Sequence, residues 1–324
     1  MTLIDVVVSQ HTSQAGKQRV RSRNVNTAAK RRESRFGLLF SMPWLIGFTA
    51  FFGLPILASA FFSFTDFNIF QSPSMVGWAN YGALFQDEKF YKALFNTFFI
   101  VGIGVPLDLV LALGLALLLN LNIKGQPLYR AVIYLPTIIP TIVTVYIWRY
   151  LLNAQYGFIN QGLSLFGFAK PLWLTDPDWT KPSVILIGFW TIGATAVIYL
   201  AALQDVPQEL KDAARVDGAG PIRRFWAITW PTISPITLFQ VVVLLIGRLQ
   251  IFAQPYLLSQ AGYNNVSSGP DDSLLTYAMY VYQNAFVFLK MGYASALAWI
   301  LFIVIMIVTL LLLLSSKSWV HYGN

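Results

Sequence analysis

The amino-acid sequence predicts an all-α integral membrane protein that crosses a bilayer six times. Two features of the composition point there: 56% of the 324 residues are hydrophobic and only 11% are charged, whereas a soluble domain carries roughly a quarter charged residues. A water-soluble fold of this length cannot hide so much apolar surface. The third feature is the presence of six apolar segments, each long enough for a spanning helix, which needs about 20 residues.

The predicted spans carry few charges, and several contain proline or glycine. Membrane helices tolerate these residues because neighbouring groups satisfy the freed backbone. The spans are predicted at 37–63, 95–121, 130–152, 183–204, 232–258 and 294–315.

Lysine and arginine predict the orientation of the spans. With the N-terminus inside, fifteen of the 22 Lys and Arg residues fall in inner segments and five in outer segments. Because cytoplasmic loops carry the excess of positive charge, both termini are predicted to be cytoplasmic. This bias also explains the net charge of +8, and no nucleic-acid partner is expected.

Residues 1–35 are predicted to form a basic cytoplasmic tail, separate from a transmembrane domain at 36–317. The tail is polar, with RSR at 21–23 and KRR at 30–32. It is too long and too polar to be a signal peptide. Its composition predicts disorder, with the cations resting on anionic membrane lipid.

The sequence also excludes several kinds of chemistry. The chain has no cysteine, so it has no disulfide, no Cys-based metal site and no Cys nucleophile. Its histidines, His11 and His321, are poorly placed for a catalytic pair. No G-x-x-x-x-G-K-[ST] phosphate loop occurs. We therefore predict no catalytic residue, no metal site and no cofactor on this chain, which is not expected to be an enzyme. The energy for transport must come from a partner or from an ion gradient.

A charged loop at 205–231, predicted to be cytoplasmic, interrupts the apolar pattern. Its first part favours a helix with Leu210, Ala213 and Ala214 on one face. Gly218 fits the left-handed position that closes a helix.

The rest of this loop predicts a second short helix. It starts at Pro221 and covers 222–229, and Pro231 then opens the fifth span. From the residues alone, two interpretations stay equally supported. The pair of helices is a docking surface for a partner, or it is an amphipathic hairpin on the membrane surface.

The loop resembles the EAA motif of binding-protein-dependent ABC importer permeases. The motif's Glu-Ala-Ala, its Gly and its Ile-x-Leu-Pro correspond to Asp212-Ala213-Ala214, Gly218 and Ile228-Thr229-Trp230-Pro231. Asp212 replaces Glu, which puts the family's glutamate contact in doubt, and Trp230 replaces Leu. Further stretches similar to the MalF-like permeases of carbohydrate uptake lie at 54–68, 76–97, 129–160 and 291–302.

This resemblance, which covers about 36–315, implies a six-helix type I ABC importer transmembrane domain with cytoplasmic coupling helices. In that family the subunit lies in the bacterial cytoplasmic membrane. It pairs with a second permease and two ATPase subunits, which bind the ATP and Mg, and an external binding protein delivers the solute. The coupling residues implied here are Glu209, Asp212, Ala213, Ala214, Asp217, Gly218 and Arg223.

Charged residues inside the spans are functional hypotheses by default. Asp108 and Arg248 are predicted at comparable depth, so an ion pair between them is one interpretation. In another, Arg248 faces the translocation cavity and reads an anionic solute, such as a uronate oligosaccharide or a sugar phosphate. In a third it bonds neutral hydroxyls. Arg149, near the outer end of the third span, is expected to snorkel to the headgroups. The predicted substrate path contains Trp190, Arg248, Gln250, Gln254 and Tyr256.

The predicted function is the permease subunit of an ATP-driven importer for a carbohydrate, an oligosaccharide in particular. The alternative is an ion-coupled secondary transporter of a small polar solute, with Asp108 as the coupling carboxylate. The sequence shows no clear repeat between its halves, which weakens that alternative. A membrane scaffold would leave the loop and the charge at Arg248 unexplained.

Overall fold

The computed structural model describes residues 32–33, 35–122, 124–260 and 268–322. In this part of the chain the regular structure is helical, and β-structure is limited to two isolated bridges, Thr65–Met75 and Asn68–Gln71. The predicted all-α membrane fold is confirmed. Most of the predicted tail lies outside the described residues, so its disorder stays a prediction.

The helices of the described chain are numbered in order. They are α1 (Arg35–Phe62), α2 (Ala79–Leu84), α3 (Glu88–Leu119), α4 (Gln126–Tyr134), α5 (Thr141–Leu151), α6 (Phe158–Leu165), α7 (Pro177–Gly188), α8 (Gly193–Gln204), α9 (Gln208–Val216), α10 (Pro221–Arg224), α11 (Trp230–Leu249), α12 (Ala253–Ser259), α13 (Tyr277–Tyr282) and α14 (Met291–Ser316).

Within the described residues, four helical stretches are long and apolar enough to cross a membrane: α1, α3, α10 to α12, and α14. Two bent pairs, α4 with α5 and α7 with α8, raise the number to six if each pair is one span. These six stretches coincide with the six predicted spans.

Helix α1, up to Phe61, falls in a unit separate from the rest of the described chain. A π turn at Thr49–Gly53 precedes Pro55, and the Leu54 N–H donates to the carbonyl of Thr49, five residues back. Proline lacks an N–H, and a wider turn absorbs the missing bond. The described helix carries large exposed apolar side chains such as Phe40 and Phe51, as expected for a helix that contacts lipid or a partner.

The third predicted span is not straight, because α4 and α5 meet at 101°. A short 3₁₀ turn, Leu135–Ile138, follows α4. Ile139 then has ψ 127°, and Pro140 has ψ 141°. A residue before proline is pushed out of the helical region, so the helix has to stop at Ile139 and start again at Thr141.

The fourth span bends by 49° between α7 and α8, and a glycine flanks each side of the bend. An ideal Cβ on Gly193 would collide with the carbonyl oxygen of Ile133 in α4. Glycine therefore lets the two bent pairs approach backbone to backbone at this level.

The predicted second short helix of the charged loop is not a separate element. Helix α10 runs through a π turn, Phe225–Thr229, directly into α11, and the Trp230 N–H donates to the carbonyl of Phe225. The prediction of a short helix at 222–229 that is separate from the fifth span was wrong, because one helical stretch runs from Pro221 to Ser259. Pro231 lies in the first turn of α11 within this stretch. As at Pro55, the wider turn before Pro231 absorbs the bond that its missing N–H cannot make.

Helix α3 lies at the centre of the unit Phe62–Asn324 and packs against α7, α8 and α11. Its small residues make this possible: Ala93, Ala112 and Ala116 are fully buried. Small side chains let membrane helices pack closely. The central position of α3 brings the polar side chains described next into contact with several spans.

Candidate functional site

The charged loop is built around helix α9 and a glycine elbow. Gly218 has φ +75°, which confirms the predicted left-handed closing residue. The Gly218 N–H donates to the carbonyl of Arg215 at 3.1 Å, and the Ala219 N–H donates to the carbonyl of Ala214 at 2.9 Å. This pair of bonds is the Schellman arrangement, which satisfies the last carbonyls of a helix.

Helix α9 has two different faces. On one face Gln208 donates to the Asp212 carboxylate at 3.2 Å, and Arg215 lies 3.5 Å from the same oxygen. On the other face Leu210 and Ala213 are exposed. Asp212, at the glutamate position of the motif, is thus engaged within its own helix, while the apolar face is left uncovered.

The remaining residues predicted to couple to an ATPase also lie at the surface of the loop. Glu209 is in the first turn of α9, Asp217 caps its end, and Arg223 is in α10; all three are exposed. Their roles stay predictions.

Two charges inside the membrane pair with each other. The Arg248 guanidinium in α11 donates to the Asp108 carboxylate in α3 at 2.6 Å, and the two side chains are only 13% and 5% exposed. The ion-pair interpretation of these two residues is therefore observed. The second carboxylate oxygen of Asp108, Oδ1, is buried without a hydrogen-bond partner in the structure.

Gly188, the last residue of α7, provides the space for this pair. An ideal Cβ there would lie 2.7 Å from the Cζ of Arg248 and closer still to both terminal nitrogens. A side chain at this position would force the guanidinium of Arg248 to shift, and glycine avoids this. The pair thus joins three spans, the second through Asp108, the fifth through Arg248 and the fourth through the backbone of Gly188.

The other residues of the predicted substrate path occupy different surroundings. Trp190 packs edge to face against Trp148 with ring centroids 5.7 Å apart. Tyr256 stacks on Phe252 at 5.1 Å. Gln250 is exposed, and the side-chain oxygen of Gln254 is buried without a partner in the structure. The structure does not join these residues into one contact set, and their role in a path stays a prediction.

Hydrogen bonds and an ion pair connect segments on the face of the bundle opposite the charged loop. Asp87, just before α3, accepts hydrogen bonds from the hydroxyls of Tyr280 and Tyr293. Burial alone would raise the pKa of the Asp87 carboxyl, but these bonds and those from the Lys89 and Phe90 amides lower its pKa below the ordinary value. Lys92 forms an exposed ion pair with Asp271 at 3.3 Å on the same face.

On this face the described residues enclose a cavity with a volume of about 900 Å³. Its walls come from the end of α5, the segments 152–156 and 172–175, the end of α12 and the segment 269–274. Tyr146, Arg149, Tyr150 and Tyr156 lie along it. This cavity was not predicted from the sequence. Its signal was there, since Tyr146, Arg149 and Tyr150 have the i, i+3, i+4 spacing of one helix face.

No group of three or more His, Asp or Glu residues in the described part of the chain is arranged to hold a metal ion. The polar features are instead a surface loop, a buried ion pair and an aromatic cavity.

A bundle of spanning helices with an exposed amphipathic loop on one face defines the class of this protein as an integral membrane protein of several spans. Residues 108–321 match the family described as binding-protein-dependent transport system inner membrane component. The match covers more than half of the chain, and the chain belongs to this family.

Curated relatives agree with this assignment. The chain is 38% identical to the probable ABC transporter permease protein YesP of Bacillus subtilis over 91% of this chain and 94% of that protein. It is 35% identical to the sulfoquinovosyl glycerol transport system permease protein SmoG of Agrobacterium fabrum, over 72% of this chain and 74% of that one.

A solved structure has the same fold. A chain of a bacterial ABC transporter involved in the import of the acidic polysaccharide alginate superposes with a TM-score of 0.69 at 25% identity. It covers 90% of this chain and 98% of that one. The protein is thus an inner-membrane permease subunit of a binding-protein-dependent sugar ABC importer with the type I fold. This replaces the ion-coupled alternative.

Proposed function

We propose that this subunit moves an oligosaccharide, preferentially an acidic one, that an external solute-binding protein delivers. In this proposal it pairs with a second permease and two ATPase subunits, which bind and hydrolyse ATP, so the chain itself is not an enzyme. Both termini and the charged loop face the cytoplasm.

The observation that carries the proposal is the uncovered face of α9. A helix that exposes Leu210 and Ala213 while its polar face is satisfied internally has apolar surface left for a partner. Ala213 also lets that partner approach closely, because its side chain is small. The elbow at Gly218 fixes the direction in which this face points. An ATPase surface that closes on this helix would transmit its motion to α11, with which α10 is continuous.

Support for an acidic oligosaccharide comes from two sides. The solved structure with the same fold belongs to an importer of an acidic polysaccharide. The cavity on the face opposite the loop carries an arginine among tyrosines. Aromatic faces and a cation are the groups that bind sugar rings and their anionic substituents.

Coupling is tested by placing bulk on the apolar face of α9. Ala213→Trp should abolish co-purification with the ATPase subunits and ATP-dependent uptake, while the protein still inserts. Gln208→Trp adds the same bulk to the opposite face and should leave both intact. Equal uptake by the two variants would contradict the proposal.

Orientation is tested with the cysteine-free background. A single cysteine introduced at Ser318 should react with a membrane-impermeant maleimide only after the cytoplasmic side is opened. One introduced at Ser164, in the segment between the third and fourth spans, should react in intact cells. The opposite pattern would reverse the proposed topology.

A further inference from the structure

The cavity on the face opposite the charged loop is a built feature rather than a gap between loops. Tyr146, Arg149 and Tyr150 project from one face of α5. The Arg149 guanidinium lies over the Tyr146 ring, 5.2 Å from its centroid. The rings of Tyr150 and Tyr156 are 5.7 Å apart at 57°. The volume of about 900 Å³ falls within the range of about 300–1,000 Å³ that is usual for ligand pockets.

Arg149 brings a positive charge that the described chain does not neutralise. Four ion pairs occur among the described residues, and none of them includes Arg149. A tyrosine face attracts the cation, but it leaves the donors of the planar guanidinium free at its edge. A guanidinium accepts a carboxylate, sulfonate or phosphate in two parallel bonds. The cavity is therefore complementary to an anionic group.

The backbone around the cavity is held in place. The Asn153 side-chain oxygen accepts hydrogen bonds from the Gln155 N–H at 2.9 Å and the Tyr156 N–H at 3.1 Å, which fixes the turn that carries Tyr156. Gly157 closes this turn so tightly that an added Cβ would lie 2.6 Å from the nitrogen of Asn153.

The second wall of the cavity is fastened in a similar way. The Trp173 indole donates to the side-chain oxygen of Asn160 at 2.8 Å, and the Asn160 amide donates to the carbonyl of Pro171 at 3.0 Å. The next residues, 172–175, line the cavity. Its walls are thus preorganised, which lowers the entropy cost of binding.

We infer that this cavity is a sugar-binding subsite on the outer side of the permease, at which an acidic residue of the oligosaccharide pairs with Arg149. Tyr150 and Tyr156 contact the apolar faces of the sugar rings. The subsite is separate from the Asp108–Arg248 pair, whose charges are already matched. This inference rests on the proposed function, because it assigns a place to the substrate of the same transporter.

The test uses the complete importer in proteoliposomes with a pair of probes. These are a uronate trisaccharide and the same trisaccharide with its carboxylates reduced to hydroxymethyl groups. Arg149→Gln should raise the half-saturating concentration for the uronate about tenfold, the loss expected for one charge-assisted hydrogen bond. The same variant should have little effect on the half-saturating concentration for the reduced trisaccharide. Arg149→Lys should recover part of the loss, because it restores the charge without the planar fork.

Two further variants complete the design. Lys290→Gln removes the same charge from an exposed position on the same face. It should leave the half-saturating concentrations for both trisaccharides unchanged. Tyr150→Ala removes a ring that is 72% exposed, so the protein should still fold. The variant should raise the half-saturating concentrations for both trisaccharides by similar factors. That result keeps the subsite testable even if Arg149→Gln fails to assemble.

The outcomes separate the inference from the proposed function. A wild-type importer that takes up neither probe with ATP contradicts the proposed function. Wild-type uptake with no change in Arg149→Gln and Tyr150→Ala overturns the subsite. Loss of the partner permease from the Arg149→Gln complex, with wild-type kinetics in the remaining assemblies, also overturns it, because the cavity would then be an interface between subunits.

Discussion

Arg248 and Arg149 are the same side chain in opposite surroundings. Arg248 lies between spans, donates to Asp108 at 2.6 Å and presses against the backbone of Gly188. Arg149 lies at the end of α5, over a tyrosine ring and beside a cavity, and belongs to none of the ion pairs in the described chain.

The difference shows how the two charges are accommodated. An arginine within the bilayer needs a partner, since an unpaired charge costs several kcal/mol. Asp108 supplies this partner for Arg248, which therefore acts as a part of the scaffold that joins three spans. At the polar edge of the bundle the cost of removing the charge from water is lower. Arg149 therefore needs no buried partner and keeps donors free for a ligand.

The largest expected effect is on the stability of the scaffold. Arg248→Gln leaves Asp108 buried and unpaired, which should lower the free energy of unfolding by about 3–5 kcal/mol. Arg149→Gln should change it by no more than about 0.5 kcal/mol, as is usual for a site without a buried partner. Denaturant unfolding of the two variants in detergent measures this contrast.

The companion change Arg248→Gln with Asp108→Asn completes a double-mutant cycle. It should restore most of the lost stability, because no isolated charge remains. If the double variant is as unstable as the single one, the pair is not what holds the spans together.

A smaller effect is expected at Gly188. The Cβ of Gly188→Ala would overlap the guanidinium of Arg248, and such overpacking costs about 1–3 kcal/mol. Gly102→Ala is the matched control, since nothing lies within 4 Å of its Cβ position and alanine favours a helix. In the background without Arg248 and Asp108 the cost at Gly188 should shrink. A cost that persists there would mean that Gly188 serves the bend and not the ion pair.

The smallest expected effect concerns a third charge, Asp87, which is held by hydroxyls instead of an arginine. Its pKa is lowered, so its contribution to stability is present above the ordinary value of 3.8 and is lost as the pH falls through the lowered folded value. Tyr280→Phe removes one of the bonds and raises the pKa of Asp87 towards that ordinary value.

The stability gap between wild type and Tyr280→Phe should therefore be full at neutral pH and close in acid. Thermal unfolding from pH 7 down to well below the ordinary pKa of 3.8 measures it. Tyr91→Phe is the control, because the Tyr91 hydroxyl donates to the carbonyl of Phe85 and its gap should not depend on pH. A gap for Tyr280→Phe that stays constant into acid would show that Asp87 does not carry the effect.

Local rules predicted much of this fold. Apolar length located the six spans, and the glycine at 218 predicted the elbow, which has φ +75°. The sharp bend at Ile139 follows from Pro140, yet the same proline in a continuous apolar run also fits a straight span, so composition could not decide. The π turn before Trp230 was missed because it depends on which backbone carbonyl accepts from each N–H inside one continuous helix. The residue types do not reveal this choice.

The candidate site could be predicted only in part. The charges of Asp108 and Arg248 stood out in apolar spans, but their pairing depends on helix packing, which one sequence does not specify. Nothing in the sequence singles out Gly188, because what matters there is the absence of a side chain, which leaves space for Arg248. The cavity at Arg149 needs three segments that lie far apart in the chain, so only the stripe on α5 was visible.

The comparison of the two arginines is tested most directly by one ratio, the half-saturating concentration for the carboxyl-reduced trisaccharide divided by that for the uronate. It is measured with the reconstituted importer for wild type, for Arg149→Gln and for the double variant Arg248→Gln with Asp108→Asn. Our account predicts that the double variant keeps the wild-type preference for the uronate and that Arg149→Gln loses about tenfold of it. A preference that survives in Arg149→Gln and collapses in the double variant would contradict the account and assign the anionic substrate to Arg248.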